Sequence, residues 1–251
     1  MSGRASAGVS AGVSAGESAV RSDGPARSAV MQSSAPSIAT LDDATRALVR
    51  AAAVVATGDD RAVRAVLVDA ARRADPVWME EMILQTYLFA GLPRALNAMR
   101  EWRRASGRPA PAADVDATLA GADAWTARGE ATCAAVYGPF YERLRHNIHA
   151  LHPALDAWMI VEGYGKVLAR PALPLAVREL CIVAVCAASR QERQLHSHLH
   201  GALHAGASAT AIGEALAVVD DLLAPDDRAH AAKLWAHVQA TQAREAPAST
   251  A

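Results

Sequence analysis

The stretch of residues 178–206, RELCIVAVCAASRQERQLHSHLHGALHAG, contains the pattern that decides the fold. Its apolar residues recur at the period of an α-helix, in two successive runs, and not with the alternation of a strand. In the second run Leu195 and Leu199 lie on one apolar face, and His198 lies at the edge of that face. Glu179 stands in the first run. The stretch therefore predicts two consecutive helices that bring a carboxylate and an imidazole toward the interior.

The same helical periodicity extends through the chain from Leu41 onward, with glycine and proline between the segments. No segment has the β-branched alternation of a strand, so an all-α fold is expected. The longest segment is expected to break at Gly138-Pro139, because the residue before a proline disfavours helical backbone. The predicted helices cover residues 42–57, 60–74, 77–90, 93–105, 114–149, 154–169, 174–189, 191–205, 209–223 and 226–242.

The composition and charge of the chain indicate which class of protein it belongs to and which kinds of partner it can bind. The chain has 251 residues, of which 52% are hydrophobic, and this is enough apolar surface for a globular core. A formal net charge of -1 gives no electrostatic footprint for nucleic acid or an anionic membrane. The three cysteines form an odd set without C-x-x-C spacing, which argues against a disulfide framework and for a reducing compartment. A cytoplasmic protein with small-molecule and protein partners is expected. The cysteines are Cys133, Cys181 and Cys186.

The ends of the chain differ in composition from its middle. Residues 1–38 form a low-complexity tail of serine, alanine and glycine, which cannot bury enough surface to offset the entropy of ordering. Glycine and serine also interrupt every apolar run there, which argues against a signal peptide. The sequence has no uninterrupted apolar run of the ~20 residues that a membrane span requires. Residues 107–116 are predicted to be a linker and residues 243–251 a C-terminal tail.

The two halves of the chain resemble each other. Leu41 aligns with Leu173 at an offset of 173 − 41 = 132 residues, and the same offset carries Leu67 onto Leu199. A tandem duplication of a helical unit is the simplest account, with a first repeat over residues 39–106 and a second over 117–242. The alternative is a chance alignment of alanine-rich helices.

The offset predicts chemistry in one repeat only. Subtracting 132 from 179 and from 198 gives Ala47 and Val66, neither of which can move a proton or hold a charge. The first repeat is therefore expected to be degenerate, and the site to lie in the second.

Two further stretches, together with the spacing from Glu179 to His198, resemble the carboxymuconolactone decarboxylase and alkyl hydroperoxidase D-like family. Residues 164–180 carry a glycine, an Arg-Pro pair and a later arginine in the order of that family's entry motif. Residues 80–95 are similar to its closing helix pair. The resemblance implies an all-helical fold, a homo-oligomer and an acid–base role for the glutamate and the histidine.

Gln191 and Gln194 stand where the redox branch of that family has cysteines. Glutamine forms no thiolate and cannot be oxidised in a peroxide-reducing cycle. Cys181 and Cys186 do not replace the missing pair, because residues five apart on one helix do not meet. The chemistry that remains is proton transfer of the decarboxylase type, in which an enolate-like charge must be stabilised or protonated.

We predict Glu179 and His198 as the catalytic acid–base pair. Arg178, Gln191 and Gln194 are predicted to bind the substrate, a small anionic carbonyl compound or lactone, since arginine recognises carboxylates and glutamine donates hydrogen bonds. The residues alone leave two alternatives open. The histidine could be a core residue that a backbone carbonyl satisfies, and the arginine could belong to a surface ion pair.

Histidines one helical turn apart raise the further possibility of a metal site. His196 and His200 could share a metal, with His204 one turn later, but a ligand from another segment is usually needed. This row points away from the apolar face, so a solvated or interface face is favoured, and neither a metal nor a cofactor is expected. A second cluster consists of His146, His149 and His152. The sequence does not indicate whether this cluster lies near the predicted site.

Three functions follow in order of preference. The first is a non-redox lyase or proton-transfer enzyme. The second is a hydroperoxidase, as in the wider family. The third is a non-catalytic oligomeric protein for binding or assembly, in which even the second site is vestigial.

Overall fold

In the computed structural model, the described residues 37–245 form eleven α-helices and no β-strand. The all-α prediction is thus confirmed for this part of the chain. Most of the predicted tails, residues 1–36 and 246–251, lies outside the described residues. The helices are α1 (Asp43–Thr57), α2 (Asp60–Ala70), α3 (Pro76–Ala90), α4 (Leu92–Ser106), α5 (Ala122–Tyr137), α6 (Tyr141–Leu151), α7 (Pro153–Trp158), α8 (Leu175–Ala188), α9 (Glu192–His204), α10 (Ala209–Val218) and α11 (Pro225–Glu245).

Side-chain caps explain where several helices begin. Ser208 accepts a hydrogen bond from the N–H of Ala211 at the start of α10, and this satisfies a donor that has no partner within the helix. Three aspartates do the same in the first half of the chain: Asp42 for α1, Asp59 for α2 and Asp75 for α3.

The predicted helix of residues 114–149 is divided in the structure. It begins with two 3₁₀ turns, Val115–Ala117 and Leu119–Gly121, and then continues as α5 and α6. The predicted break is present as a third 3₁₀ turn, Gly138–Phe140. Gly138 has φ 53° and ψ −128°, a backbone conformation that only glycine adopts without strain.

A π-helix, Met159–Leu168, follows α7 where the sequence predicted an α-helix. It crosses α5 at very short range through two glycines. A Cβ on Gly129 would stand 2.1 Å from the carbonyl oxygen of Ile160, and a Cβ on Gly165 would stand 2.0 Å from that of Trp125. Both contacts are far inside van der Waals distance, so neither position accepts a side chain without displacement of backbone.

The centre of the molecule is the pair α1 and α8, which pack against each other. Both helices are buried over most of their length, and from Leu180 to Ala188 the sequence of α8 is apolar on every face. The second helix carries Glu179 into this core. Two contacts are reciprocal: α1 also packs on α10, and α8 also packs on α3. No helix of the described residues is long and apolar enough to cross a membrane.

Helix starts recur at the predicted offset. Helices α1 to α4 begin at residues 43, 60, 76 and 92, and adding 132 gives 175, 192, 208 and 224. Helices α8 to α11 begin at residues 175, 192, 209 and 225. The first two starts coincide, and the last two differ by one residue. Each of the first four helices therefore has a positional counterpart in the last four.

A buried ion cluster links the two halves. Glu81 of α3 accepts hydrogen bonds from Arg178 at 2.7 Å and from Arg170 at 2.8 Å. Arg170 also contacts Asp114 at 2.7 Å and Asp116 at 3.4 Å, so residues from the predicted linker take part. Burial raises the pKa of Glu81, but the hydrogen bonds and charges of the two arginines outweigh it and hold that pKa below its ordinary value.

Candidate functional site

Helices α8 and α9 bring Glu179 and His198 together. Nδ1 of His198 lies 2.7 Å from Oε2 of Glu179, and the two residues are only 5% and 0% exposed. A carboxylate accepts hydrogen bonds, so the ring nitrogen facing it carries the proton. The second oxygen of the glutamate, Oε1, is buried and has no hydrogen-bond partner among the described residues. The predicted pair is therefore a hydrogen-bonded carboxylate–imidazole dyad.

Gly201 makes the close approach of the carboxylate to α9 possible. A Cβ at this position would stand 2.8 Å from Oε2 of Glu179 and 2.7 Å from Cγ1 of Val136. The glycine follows His198 by three residues and so lies on the same side of α9. Sequence reasoning did not assign it a role in the site.

His198 lines a cavity of about 550 Å³, here called the His198 cavity. Its volume falls in the range of small-ligand pockets, ~300–1,000 Å³. Its polar lining groups, besides the histidine, are Tyr137, Tyr164, Ser197, Arg193, Gln194 and Glu162. Its walls are mainly apolar and come from α3, α5, α6, α7 and the π-helix: Leu88, Phe89, Leu144, Ile148, Leu151, Leu155, Trp158, Met159 and Leu168.

Two tyrosines and a phenylalanine surround the dyad. The rings of Tyr137 and Tyr164 meet edge to face at 6.2 Å, and Phe89 contacts the imidazole of His198 in the same manner at 5.7 Å. Burial raises the pKa of Tyr137 to about 12, despite opposing hydrogen bonds with Tyr164 and Ser197. Burial also raises the pKa of Tyr164 well above its usual value. Both phenols are therefore protonated at neutral pH and available as hydrogen-bond donors.

Arg178, which was predicted to bind the substrate, does not line the His198 cavity. Its side chain is 0% exposed, and its guanidinium is held by Glu81, by Gln85 at 3.2 Å and by the backbone carbonyls of Leu173 and Arg170. A fully buried cation with these partners cannot reach a ligand. Burial lowers its pKa, although the pairing with the glutamate opposes the shift.

The two predicted glutamines lie in different places. Gln194 lines the His198 cavity, as does the neighbouring Arg193. Gln191 occupies the N-cap position of α9 without a side-chain capping hydrogen bond and borders a separate recess with Arg190 and Glu192. Of the three predicted substrate-binding residues, Gln194 alone lines the cavity. The exposed cation at its wall is Arg193, which sequence reasoning passed over although it stands in the quoted stretch.

None of the cysteines is positioned as an accessible thiol. Cys133, Cys181 and Cys186 are buried and unpaired, and burial raises the pKa of each to about 12. None of them lines the His198 cavity. At neutral pH these groups are neutral thiols that lack nucleophilic character.

The histidine clusters lie apart from the dyad. His196, His200 and His204 line a second cavity, together with His237 of α11. Within residues 37–245 no group of three or more histidine, cysteine, aspartate or glutamate side chains has a geometry that could hold a metal ion. The other cluster does not line the His198 cavity. In it, His146 is exposed, His149 lies 3.7 Å from Asp156, and Nδ1 of His152 caps α7.

Residues 153–237 match the model of the carboxymuconolactone decarboxylase family. This segment, from α7 into α11, is similar to that family and contains both Glu179 and His198, which supports the resemblance seen in the sequence. The match does not include the predicted first repeat. No curated protein matches the chain.

Proposed function

We propose that this protein is a non-redox proton-transfer enzyme of the decarboxylase type that acts on a small anionic carbonyl compound or lactone. The observation that carries the proposal is the buried dyad, in which the histidine holds its carboxylate at 2.7 Å and at the same time lines a cavity of ligand size. A core histidine would not require such a cavity. The family domain at residues 153–237 supports this general class.

The hydrogen bond within the dyad determines which ring nitrogen of His198 can exchange a proton with a ligand. Nδ1 of His198 donates to Glu179, so Nε2 is the nitrogen available to a ligand. In a decarboxylation, the bond to the carboxylate breaks, carbon dioxide leaves and the electron pair remains as an enolate. The imidazolium then gives its Nε2 proton to the carbon, and solvent restores that proton. The buried glutamate stabilises the charged imidazolium before this transfer.

Other cavity groups have roles that fit this chemistry. The protonated hydroxyl of Tyr137 can donate a hydrogen bond to the enolate oxygen, where negative charge develops. Arg193 and Gln194 can bind the substrate carboxylate at the cavity wall. A ligand in the cavity would displace water from the apolar wall, and this would strengthen each of these interactions.

The placement of the cysteines argues against the hydroperoxidase alternative. A peroxidase needs an accessible thiolate, whereas all three thiols are buried with pKa values raised to about 12. A direct test is consumption of hydrogen peroxide with a thiol reductant. Turnover that is lost when Cys133, Cys181 or Cys186 is replaced would overturn the non-redox assignment.

The proton-transfer proposal is tested with a panel of keto acids and carboxylated lactones, with carbon dioxide release and deuterium uptake from heavy water as readouts. His198→Ala and Glu179→Gln should lower turnover by at least about 10²-fold without loss of folding. Gln194→Ala should raise KM, whereas Gln191→Ala, the matched control outside the cavity, should not. Full turnover in both dyad variants would refute the proposal. Absence of both turnover and ligand binding across the panel would favour the assembly function.

We also propose that the chain is a tandem duplication. Residue 46 is the counterpart of 178 at the 132-residue offset, and the two arginines make matching contacts. Nε of Arg46 donates to the carbonyl of Leu41 at 3.2 Å, and Nε of Arg178 donates to that of Leu173 at 3.2 Å.

The matching extends to the ion pairs between the halves. Arg46 pairs with Glu214 of α10 at 3.0 Å, and Arg178 pairs with Glu81 of α3 at 2.7 Å. Helix α10 starts 209 − 76 = 133 residues after α3, and 81 + 133 = 214. Such correspondence supports duplication over chance alignment. We propose separately that several chains assemble into a homo-oligomer, and sedimentation analysis tests this.

A further inference from the structure

A second cavity, of about 310 Å³, opens among α5, α6, α9 and α11. It is called the histidine cavity because His196, His200 and His204 of α9 and His237 of α11 line it. Arg143 of α6 is the fifth basic residue of its wall, and none of its lining residues is acidic. A cavity with five basic groups and no carboxylate is suited to an anion.

The imidazoles are close to one another. The ring centroids of His196 and His200 are 5.0 Å apart, those of His196 and His237 are 6.2 Å apart, and those of His200 and His204 are 6.5 Å apart. Burial, and then the neighbouring His237, lower the pKa of His196. A bound anion would offset the unfavourable effect of His237 on the charged form of His196. Besides the histidines and Arg143, the titratable group of the wall is the neutral phenol of Tyr137.

Arg143 is available for a ligand. Its guanidinium lies over the ring of Phe140 at 4.8 Å from the centroid, and it makes no ion pair within the described part of the chain. The aromatic face orients the cation without neutralising it. His204 is also oriented, because its Nδ1 donates to the carbonyl of Val136 at 2.8 Å.

The histidine cavity adjoins the His198 cavity. Tyr137, Leu144 and Ser197 line both. The first contains five basic residues, whereas Arg193 and His198 are the basic residues that line the second. One ligand could therefore lie across the shared wall, with its charged end among the histidines and its apolar part near His198.

We propose that the histidine cavity binds the carboxylate of an organic acid whose apolar chain extends into the His198 cavity. The inference rests on the proposed function in taking the His198 cavity as the ligand site. It narrows the substrate class to amphiphilic carboxylates, with the anionic group held by Arg143, His196 and His237. In a substrate, this carboxylate is distinct from the one that leaves as carbon dioxide, which lies beside His198 and which Arg193 and Gln194 bind.

The test measures binding of octanoate by isothermal titration calorimetry, with octanamide and inorganic phosphate as comparisons. Octanoate should bind at least about tenfold more tightly than either, since octanamide lacks the charge and phosphate lacks the chain. Its affinity should rise as the pH falls from 7.5 to 6, with proton uptake visible as a dependence on buffer ionisation enthalpy. Equal affinity for octanamide, or for phosphate, would overturn the proposal.

Matched variants locate the site. Arg143 and His237 are exposed side chains, so Arg143→Gln and His237→Gln should fold normally and weaken octanoate about tenfold. His230→Gln, on the same helix but outside the histidine cavity, should bind as the wild type does. Unchanged affinity in both cavity variants would refute this site. Octanoate binding is measured without turnover, so failure of the catalytic proposal and failure of this one can be told apart.

Discussion

Gly201 lies against the carboxylate of Glu179 so closely that a Cβ at residue 201 would stand 2.8 Å from Oε2. The missing side chain is what allows the glutamate to sit beside α9 and hold His198. Both the position of the dyad and its hydrogen bond thus depend on a residue that carries no chemistry of its own.

Gly201→Ala should therefore lower turnover strongly, because the added methyl group displaces the carboxylate or pushes α9 away from Val136. We expect a destabilisation of about 1–3 kcal/mol, as for other overpacked core positions. Thermal unfolding and assay of the purified variant measure the two effects. The control is Gly213→Ala in α10, where the nearest atom to an added Cβ is 3.8 Å away. That variant should be neutral or slightly more stable, and equal losses in both variants would contradict the argument.

Gly165→Ala should destabilise the fold by more than Gly163→Ala, although the two glycines lie in the same π-helix. A Cβ at residue 165 would stand 2.0 Å from the carbonyl oxygen of Trp125, whereas the nearest atom to a Cβ at 163 is 4.0 Å away. We expect a loss of about 3 kcal/mol or more against a change of at most ~0.5 kcal/mol. Urea denaturation measures both, and similar midpoints would show that α5 and the π-helix are not packed through these glycines.

Arg178 and Arg46, the two arginines related by the 132-residue offset, allow a buried ion pair to be compared with an exposed one. Glu81→Gln leaves Arg178, which is 0% exposed, without its counter-charge and should cost about 3–5 kcal/mol. Glu214→Gln removes the corresponding partner of Arg46, whose side chain is 39% exposed, and should cost no more than ~1 kcal/mol. Chemical denaturation of both variants gives the difference. Equal costs would refute the role assigned to burial.

Acid should destabilise the wild type partly through Glu81. The pKa of this carboxyl is lower in the folded protein than its ordinary value of 4.5, so its ionised form stabilises the fold above that pH. This contribution is lost as the pH falls from 4.5 through the lowered pKa, because the proton must displace the arginines. The free energy of unfolding of Glu81→Gln, measured from pH 6 to pH 3, should fall less steeply than that of the wild type. Parallel curves would contradict the linkage.

The thiols should not react in the native protein. All three cysteines are buried and the pKa of each is raised to about 12, so reaction with Ellman's reagent at pH 8 should proceed no faster than unfolding. Release of three equivalents should follow addition of denaturant. A fast phase in the folded protein would indicate an accessible thiolate and would support the hydroperoxidase function.

Local rules predicted most helices and the inward direction of Glu179 and His198, whereas the pairing of the two was implied by the family resemblance. The apolar period determines which face of a helix is buried, and therefore turned Glu179 and His198 inward. Glycine, proline and capping residues marked many of the ends, such as the break at Gly138. The π-helix was missed because the apolar pattern of residues 159–168 also fits an α-helix and does not show that the hydrogen bonds run from i to i+5.

Contacts between distant segments were beyond local reasoning. Arg178 was assigned to the substrate because its partner, Glu81, lies 97 residues away and no local pattern links them. Tyr137 was missed because it reaches the cavity from α5, which the sequence did not connect to the site. Gln191 and Gln194 looked equivalent, but the first lies at the start of α9, where the chain turns toward another recess.

The packing of α1 on α8, with its reciprocal contacts to α3 and α10, has the pattern of two like subunits related by a two-fold axis. Covalent connection makes the meeting of these halves unimolecular, so their association no longer depends on protein concentration. It also releases the halves from the requirement to be identical. Under the proposed duplication, one copy could lose its acid and base, leaving Ala47 and Val66 at those positions, while the other kept them, which a symmetric pair of identical chains could not do.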